Sequence, residues 1–301
     1  MNLVERLPND AFRVTRKLPY VDVFNLLPIY EKVAFRSNLV LVGPKGIGKS
    51  MSVAHYAVEQ RKHLVTFDCS EDVRRTHLIG TPMLRGHESP FVLGPLPTAY
   101  EVANETGFCI LCLEEVNALS PQMQKILNST TDFRKRIEVP EAQRVFELKQ
   151  GAKLWVVGTM NTAVYGGVYA LNEDLKSRFR MVPLDYPSNE SDIVASEMRD
   201  RQIQVDPTIV RKVLTLAAET RQKSVEYALS PRDVVQIVED ISLVGVKDAL
   251  WIASGKFDDQ DRKFFQDRVW DNFDNLLLPG ATAPAQTRPK TQAPAGQPGR
   301  P

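Results

Sequence analysis

An eight-residue stretch, GPKGIGKS from Gly43 to Ser50, limits what this chain can fold into more than any other. It sets Gly43, Gly48, Lys49 and Ser50 in the order G-x-x-x-x-G-K-S, a spacing that cradles phosphate oxygens with backbone N–H groups. The glycines remove side chains that would block that approach, and a helix starting at the end of the loop adds its positive dipole end. The flanks are those such a loop requires. The apolar run NLVLV precedes it, and KSMSVAHYAVEQRK, whose apolar residues recur at helical spacing, follows it. A flexible Gly/Lys turn is the plainer reading, and both flanks weigh against it. Residues Gly43, Pro44, Lys45, Gly46, Ile47, Gly48, Lys49, Ser50 and Met51 are therefore expected to hold a nucleoside triphosphate. Lys49 would reach the β- and γ-phosphates, and the Ser50 hydroxyl would sit on Mg2+. No N-K-x-D guanine motif occurs, which favours ATP over GTP.

The rest of the chain supplies a sheet for that loop. Short apolar runs bounded by turn signals recur from about residue 36 to 185: SNLVLVG, HLVTFDC, GFCILCLEE, KLWVVGTMN and RFRMVPLDY. Between several of them lie segments of helical periodicity, such as SPQMQKILNST. Continuous apolar strands alternating with helices predict a parallel sheet covered on both faces. The expected fold class is α/β, a P-loop NTPase core of three αβα layers over residues 1–188, with an N-terminal linker of about 1–35. Leucines and valines at three- and four-residue steps then predict a small all-α lid domain over 189–275. From 276 to 301 the chain is rich in proline and carries no acidic or aromatic residue, so a disordered tail is expected.

Composition narrows the function classes. The 38 lysines and arginines nearly balance 37 acidic residues, leaving no global basic footprint for nucleic acid or membrane. Three cysteines in 301 residues argue against a disulfide scaffold and suit a reducing compartment. The N-terminus is charged at Glu5, Asp10, Arg13 and Arg16 with no apolar h-region, and no run approaches the length that spans a bilayer. A cytoplasmic protein is expected.

Further chemistry is expected at strand ends. CILCLEEVNALSP places Glu114 and Glu115 at the close of an apolar run. With a phosphate loop upstream, Glu114 is the candidate acid that completes the magnesium shell, and Glu115 the candidate general base for water. A solvated acidic pair is the plainer reading. Cys109 and Cys112, three apart on a strand, point to opposite faces and share neither a metal nor a disulfide; Cys69 also reads as a buried packing residue. The four histidines form no ligand-spaced pair. Asn161 follows another apolar run and would lie beside the phosphates, where an amide orients the attacking water; alone, such an asparagine is usually a turn former. Arg178, ending LNEDLKSR before the last core run, is the candidate that stabilises phosphoryl charge in a neighbouring subunit's site, with Lys176 and Arg180 as competitors. In LSPRDV, Ser230 reads as an N-cap, Pro231 as the first helical residue and Asp233 as the end of a capping box. Arg232 would then lean from that first turn onto the γ-phosphate and couple nucleotide state to the angle between domains.

This ordered set resembles the AAA+ ATPases. Its details, EEVNALSPQMQKILN, LGPLPTAYEVANETG, GTMNT…LNEDLKSRF and LSPRDV, are similar to the MoxR-like and dynein-related branch with its CbbQ, NorQ and GvpN types, over roughly residues 20 to 245. The resemblance implies two hairpins, at Gly80 to Pro95 and at Asp132 to Gly151 with a turn near Pro140-Glu141. It also implies a homo-oligomeric ring, hexameric in the family's manner, that acts like a chaperone on a client protein, a von Willebrand A-domain protein being one candidate. Arg134, Lys135 and Arg136 offer a grip for nucleic acid or an acidic partner, a solvated hairpin being an equal reading. One position departs from the family: Glu114 stands where aspartate is usual, and its extra methylene shifts the metal–water geometry towards slower turnover. The resulting expectation is a Mg2+-dependent ATPase that remodels a partner. A nucleic-acid motor or loader and a nucleotide-gated assembly factor with little hydrolysis are the rivals.

Overall fold

The computed structural model describes residues 4–84, 86–87, 89–161, 169–222 and 225–284. Its strands are β1 (Val4–Glu5), β2 (Asn38–Val42), β3 (His63–Asp68), β4 (Gly80–Pro82), β5 (Phe91–Leu93), β6 (Phe108–Glu114), β7 (Arg136–Val139), β8 (Arg144–Glu147), β9 (Lys153–Met160) and β10 (Phe179–Pro183). The helices of the first half are α1 (Leu26–Val33), α2 (Lys49–Glu59), α3 (Arg75–Ile79), α4 (Pro95–Thr106) and α5 (Pro121–Thr131). Those of the second half are α6 (Glu173–Lys176), α7 (Glu190–Asp200), α8 (Pro207–Gln222), α9 (Pro231–Val244), α10 (Val246–Ser254) and α11 (Asp259–Asn272).

The five expected apolar runs form one parallel sheet in the order β10-β2-β9-β6-β3. Both faces are buried along the central strands β2, β6 and β9, which is why these are continuously apolar rather than alternating, while the edge strands β3 and β10 are partly exposed. Val40, Cys109, Leu111, Leu113 and Val156 pack on one face with Leu96, Tyr100 and Leu127 of α4 and α5. Leu39, Leu41, Ile110, Cys112, Trp155 and Val157 pack on the other with Tyr30 and Val53 of α1 and α2. The fold is a P-loop αβα core, with helices following it. Cys109 and Cys112 do fall on opposite faces, and all three cysteines are free and buried.

Both expected hairpins are present. β4 pairs antiparallel with β5, and β1 joins β5 in parallel to make a second, three-stranded sheet. β7 pairs antiparallel with β8 across a short 3-10 turn at Pro140–Ala142. The N-terminal segment, expected to be a linker, thus carries a paired strand and a packed helix. Arg6 ties it further to Glu101 and Glu105 of α4.

By internal contacts the chain divides into Met1–Gln204 with Ser230–Val235, and Val205–Leu229 with Gln236–Pro301. The expectation put the boundary at 188/189. The first unit runs further because α7 buries Glu190, Val194 and Glu197. The second unit is helical, with a core that includes Val213, Leu216, Ile241, Leu250 and the stacked rings of Phe257 and Phe265, 4.7 Å apart. Leu278 is buried, so ordered chain enters the expected tail; residues 285–301 lie outside the described ones.

Burial pushes the thiols of Cys69 and Cys109 up to about 12 and raises that of Cys112 further. The thiolate is the reactive form. A native sample treated with an aromatic disulfide reagent at neutral pH is therefore expected to show no fast-reacting thiol, and three after denaturation. A rapid native reaction would contradict the packing described.

Candidate functional site

The phosphate loop leaves β2 at its C-terminal end and enters α2 at Lys49. Gly46 and Gly48 have φ of +77° and +91°, a region that side chains make costly. Gly46 is also pressed against the start of α9, where a Cβ would meet Ser230 Oγ at 2.4 Å. Ser230 itself is held by the expected capping box: its N–H donates to Asp233 Oδ2 at 2.8 Å, and Asp233 N–H returns a bond to Ser230 Oγ at 3.3 Å. The loop and Arg232 are thereby set beside each other through sterics and a helix cap.

Lys49 is buried at 8% exposure, and its ammonium donates to the carbonyls of Gly43 and Pro44, at 2.8 and 2.6 Å, and to Asn161 Oδ1 at 3.0 Å. Burial pulls it down to about 8; the Glu115 carboxylate works against that shift and Arg232 adds to it. Asn161 passes the connection on, its Nδ2 donating to Glu115 Oε1 at 3.0 Å. Ser50 Oγ donates to Glu114 Oε2 at 2.5 Å. Five residues expected from three separate motifs thus meet in two hydrogen-bonded sets, Lys49–Asn161–Glu115 and Ser50–Glu114.

Glu115 departs from strand geometry. Its φ of 52° and ψ of 46° are left-handed, which for a non-glycine residue costs about 1–2 kcal/mol. That turn breaks the strand's alternation and leaves the carboxylate exposed at the mouth of the site. The Thr159 hydroxyl, buried in β9, accepts from the Glu115 backbone N–H at 3.2 Å and steadies the turn. Asn117 ties the following segment to β9 and beyond: its Nδ2 donates to the Asn161 carbonyl at 3.3 Å, and its own carbonyl accepts from Tyr169 N–H at 2.7 Å.

These groups line a cavity of about 390 Å3. Lys45 to Met51, Glu114, Glu115, Thr159 and Asn161 form part of its wall, and Arg232 and Val235 another. Pro19, Tyr20 and Val21 of the N-terminal segment, Ile193 and Glu197 of α7 and Arg201 just after it also line the cavity. Gly43 and Pro44 stand behind the wall as acceptors for Lys49. Loop glycines with positive φ, a buried lysine and apolar side chains in one cavity fit a nucleotide's phosphates and base. For a metal, the chain offers the paired oxygens of Ser50 and Glu114, and among the described residues no group of three His, Cys, Asp or Glu is placed to hold one. A partial oxygen set of this kind fits Mg2+, which keeps several waters and shares phosphate oxygens.

Comparison with known proteins adds a family. Residues 38–179 match the model of the AAA domain of the dynein-related subfamily. That span is similar to AAA domains. Such domains bind nucleotide and, in general, hydrolyse ATP. An uncharacterised protein of Staphylococcus saprophyticus is 24% identical over 223 residues, covering 71% of this chain and 81% of its own. The uncharacterised YojN of Bacillus subtilis is 26% identical over 191 residues, covering 62% of this chain and 60% of its own. Among solved structures, NtrX from Brucella abortus shares the fold at a TM-score of 0.50 and 18% identity, over 76% of this chain. The chain spans only about half of NtrX, 52% of its length.

Arg178 and its competitors Lys176 and Arg180 stand apart from the cavity. Arg178 precedes β10, whose Phe179 pairs with Asn38 at the start of β2, so it lies at the sheet edge opposite the phosphate loop. The five residues of β2 put roughly 16 Å between those edges. Lys176 is paired with Glu173 at 2.9 Å, and Arg180 is exposed on β10. The residues that sequence reasoning missed are Thr159, the Pro19-Tyr20-Val21 segment, and Ile193, Glu197, Arg201 and Val235. Thr159 sits two before Asn161, as one strand face requires; the N-terminal three carry no periodic signal.

Only the ammonium form of Lys49 attracts phosphate strongly, so the charged fraction of the free protein falls as pH rises through about 8. Bound phosphates restore the proton. ATP affinity is therefore expected to weaken between about pH 7 and 9 with proton uptake on binding. Calorimetry in buffers of different ionisation heat measures both, and an affinity that is flat across that range with no proton uptake would contradict the Lys49 environment.

Proposed function

We propose that this protein is a Mg2+-dependent ATPase of the MoxR-like branch, of the CbbQ, NorQ and GvpN kind, that works in the cytoplasm as a homo-oligomeric, hexameric ring and remodels a client protein. The observation that carries the reading is the Lys49–Asn161–Glu115 chain of hydrogen bonds beside the Ser50–Glu114 pair in one cavity. Lys49 and the loop amides bind the phosphates. Glu115 takes a proton from water that Asn161 orients, and Arg232 answers to the γ-phosphate. Ser50, with Glu114 beside it, would hold the Mg2+, which when bound neutralises phosphate charge. Arg178 lies at the end of the sheet opposite its own loop, which suits a role in the site of a neighbouring copy. No helix among the described residues is long and apolar enough to cross a membrane.

A protein client is favoured over nucleic acid. Arg134 is engaged with Asp132, Lys135 with Asn38 and Arg136 with Glu138, so the basic run at the hairpin is paired within the chain. A von Willebrand A-domain protein remains the candidate client that the family resemblance suggests. A second reading, a nucleotide-gated assembly factor, is favoured by one observation: Glu115 is held by Asn161 while a longer acid than aspartate sits on Ser50.

Substituting Glu115→Gln is expected to preserve ATP binding and lower turnover by about 10²–10⁴-fold, the range for loss of a general base. Turnover is compared with Lys49→Ala, which removes the phosphate contact. Unchanged hydrolysis in Glu115→Gln would remove that residue from the reaction. Wild-type turnover no higher than that of Lys49→Ala would favour the assembly factor.

A further inference from the structure

Away from the phosphate site, the described residues include a buried carboxylate placed between two arginines, and one of these is Arg178. Asp132 ends α5, where the helix dipole disfavours a negative charge, yet it is only 6% exposed. Such a carboxylate stays charged only with cations beside it. Arg134 supplies the closest. Its backbone N–H donates to Asp132 Oδ1 at 2.9 Å, and its Nε and Nη2 donate to Oδ2 at 2.8 and 2.6 Å. Burial alone would raise the Asp132 carboxyl; these bonds outweigh it and hold the group below the usual carboxylate range.

Arg178 approaches the same oxygen without closing on it, its Nη1 standing 4.0 Å from Oδ2. Its Nε is buried and has no hydrogen-bond partner among the described residues. The backbone is held more firmly than the guanidinium. Asn38 Nδ2 donates to the Arg178 carbonyl at 3.4 Å and to that of Thr131, the residue before Asp132, at 3.1 Å. Asn38 Oδ1 in turn accepts from Lys135 Nζ at 3.3 Å. The end of α5, the root of the β7–β8 hairpin and the residue before β10 are therefore tied together at one point.

We propose that Asp132 is a positioning residue for Arg178, aiming its guanidinium out of this chain and into the phosphate site of a neighbouring copy. Arg134 makes the aim possible by occupying Oδ2, which leaves Arg178 oriented by charge but not captured. This inference rests on the reading that Arg178 acts in trans. It assigns a task to a residue outside every motif that pointed to the site.

The test uses the full-length chain and subunit mixing. Asp132→Asn keeps the size of the side chain and an acceptor for Arg134 N–H but removes the charge. It is expected to lower kcat about 10–100-fold, the scale of a catalytic group misplaced by about 1 Å, with KM for ATP unchanged. Mixed with Lys49→Ala subunits, which cannot hydrolyse but present a normal Arg178, it should regain activity above the sum of the two alone. A merely structural defect in Asp132→Asn would not be rescued by a neighbour. Arg178→Ala mixed with Lys49→Ala is the reference. If that pair is not rescued, the trans reading fails. If it is rescued while Asp132→Asn keeps normal kcat, or is impaired without rescue, the positioning role fails. Should Asp132→Asn not fold, Arg134→Ala, altered at an exposed guanidinium, gives the answer. Freed Oδ2 should then capture Arg178 and lower kcat several-fold at constant KM, and an unchanged kcat would overturn the proposal.

Discussion

Everything at the site depends on β2, β6 and β9 running in the same direction in adjacent positions. Parallel alignment brings the ends of all three to one edge: Val42 pairs with Met160, and Leu113 with Gly158. The phosphate loop, the two glutamates and Asn161 follow from those ends within one or two residues. Covering helices on both faces make the arrangement stable, because a parallel sheet leaves no face that can be given to water. Gly158 shows how tightly the centre is drawn. A Cβ there would stand 3.0 Å from Val40 Cγ2 and 3.1 Å from Val116 Cγ1, so its absence lets the segment after Glu115 fold back over β9.

Against that edge, the candidate site groups are held by short polar links. Lys49 is stripped of water and given two loop carbonyls and an amide in exchange, which keeps it in place while making its proton easier to lose. Glu115 is turned out of the strand by a left-handed backbone and caught by the far end of the same amide. One asparagine therefore touches both the Lys49 ammonium and the exposed Glu115 carboxylate. Gln124 does comparable work on the next segment, donating to the carbonyls of Leu119 and Ala170 and accepting from Asn172 N–H at 2.8 Å.

Much of this was legible in the residues themselves. Strands such as Phe108–Glu114 announce themselves because both faces are buried, so no polar residue interrupts them. The two hairpins came from the family resemblance, the second with a turn expected near Pro140-Glu141, where a 3-10 turn runs over Pro140–Ala142. Less visible was the N-terminal segment. PYVD has no period, yet Asp22 caps α1 by accepting from the N–H groups of Leu26 and Leu27, and Tyr20 packs its ring against His55. The extent of the first unit was also hidden, since α7 has the same amphipathic look whether it packs on a sheet or among other helices.

By itself, then, the sequence determined the phosphate loop, the five apolar strands, the order in which the candidate residues reach their ends and the opposite facing of Cys109 and Cys112. These are properties of spacing and of side-chain period, which act locally. Only the tertiary structure decided which of those residues touch: that Asn161 joins Lys49 to Glu115, that Glu114 lies on Ser50, and that Asp132 stands between Arg134 and Arg178. Such contacts link positions from two to more than a hundred residues apart, and the longer ones exist because a parallel sheet aligns distant strand ends, a fact that no local pattern encodes.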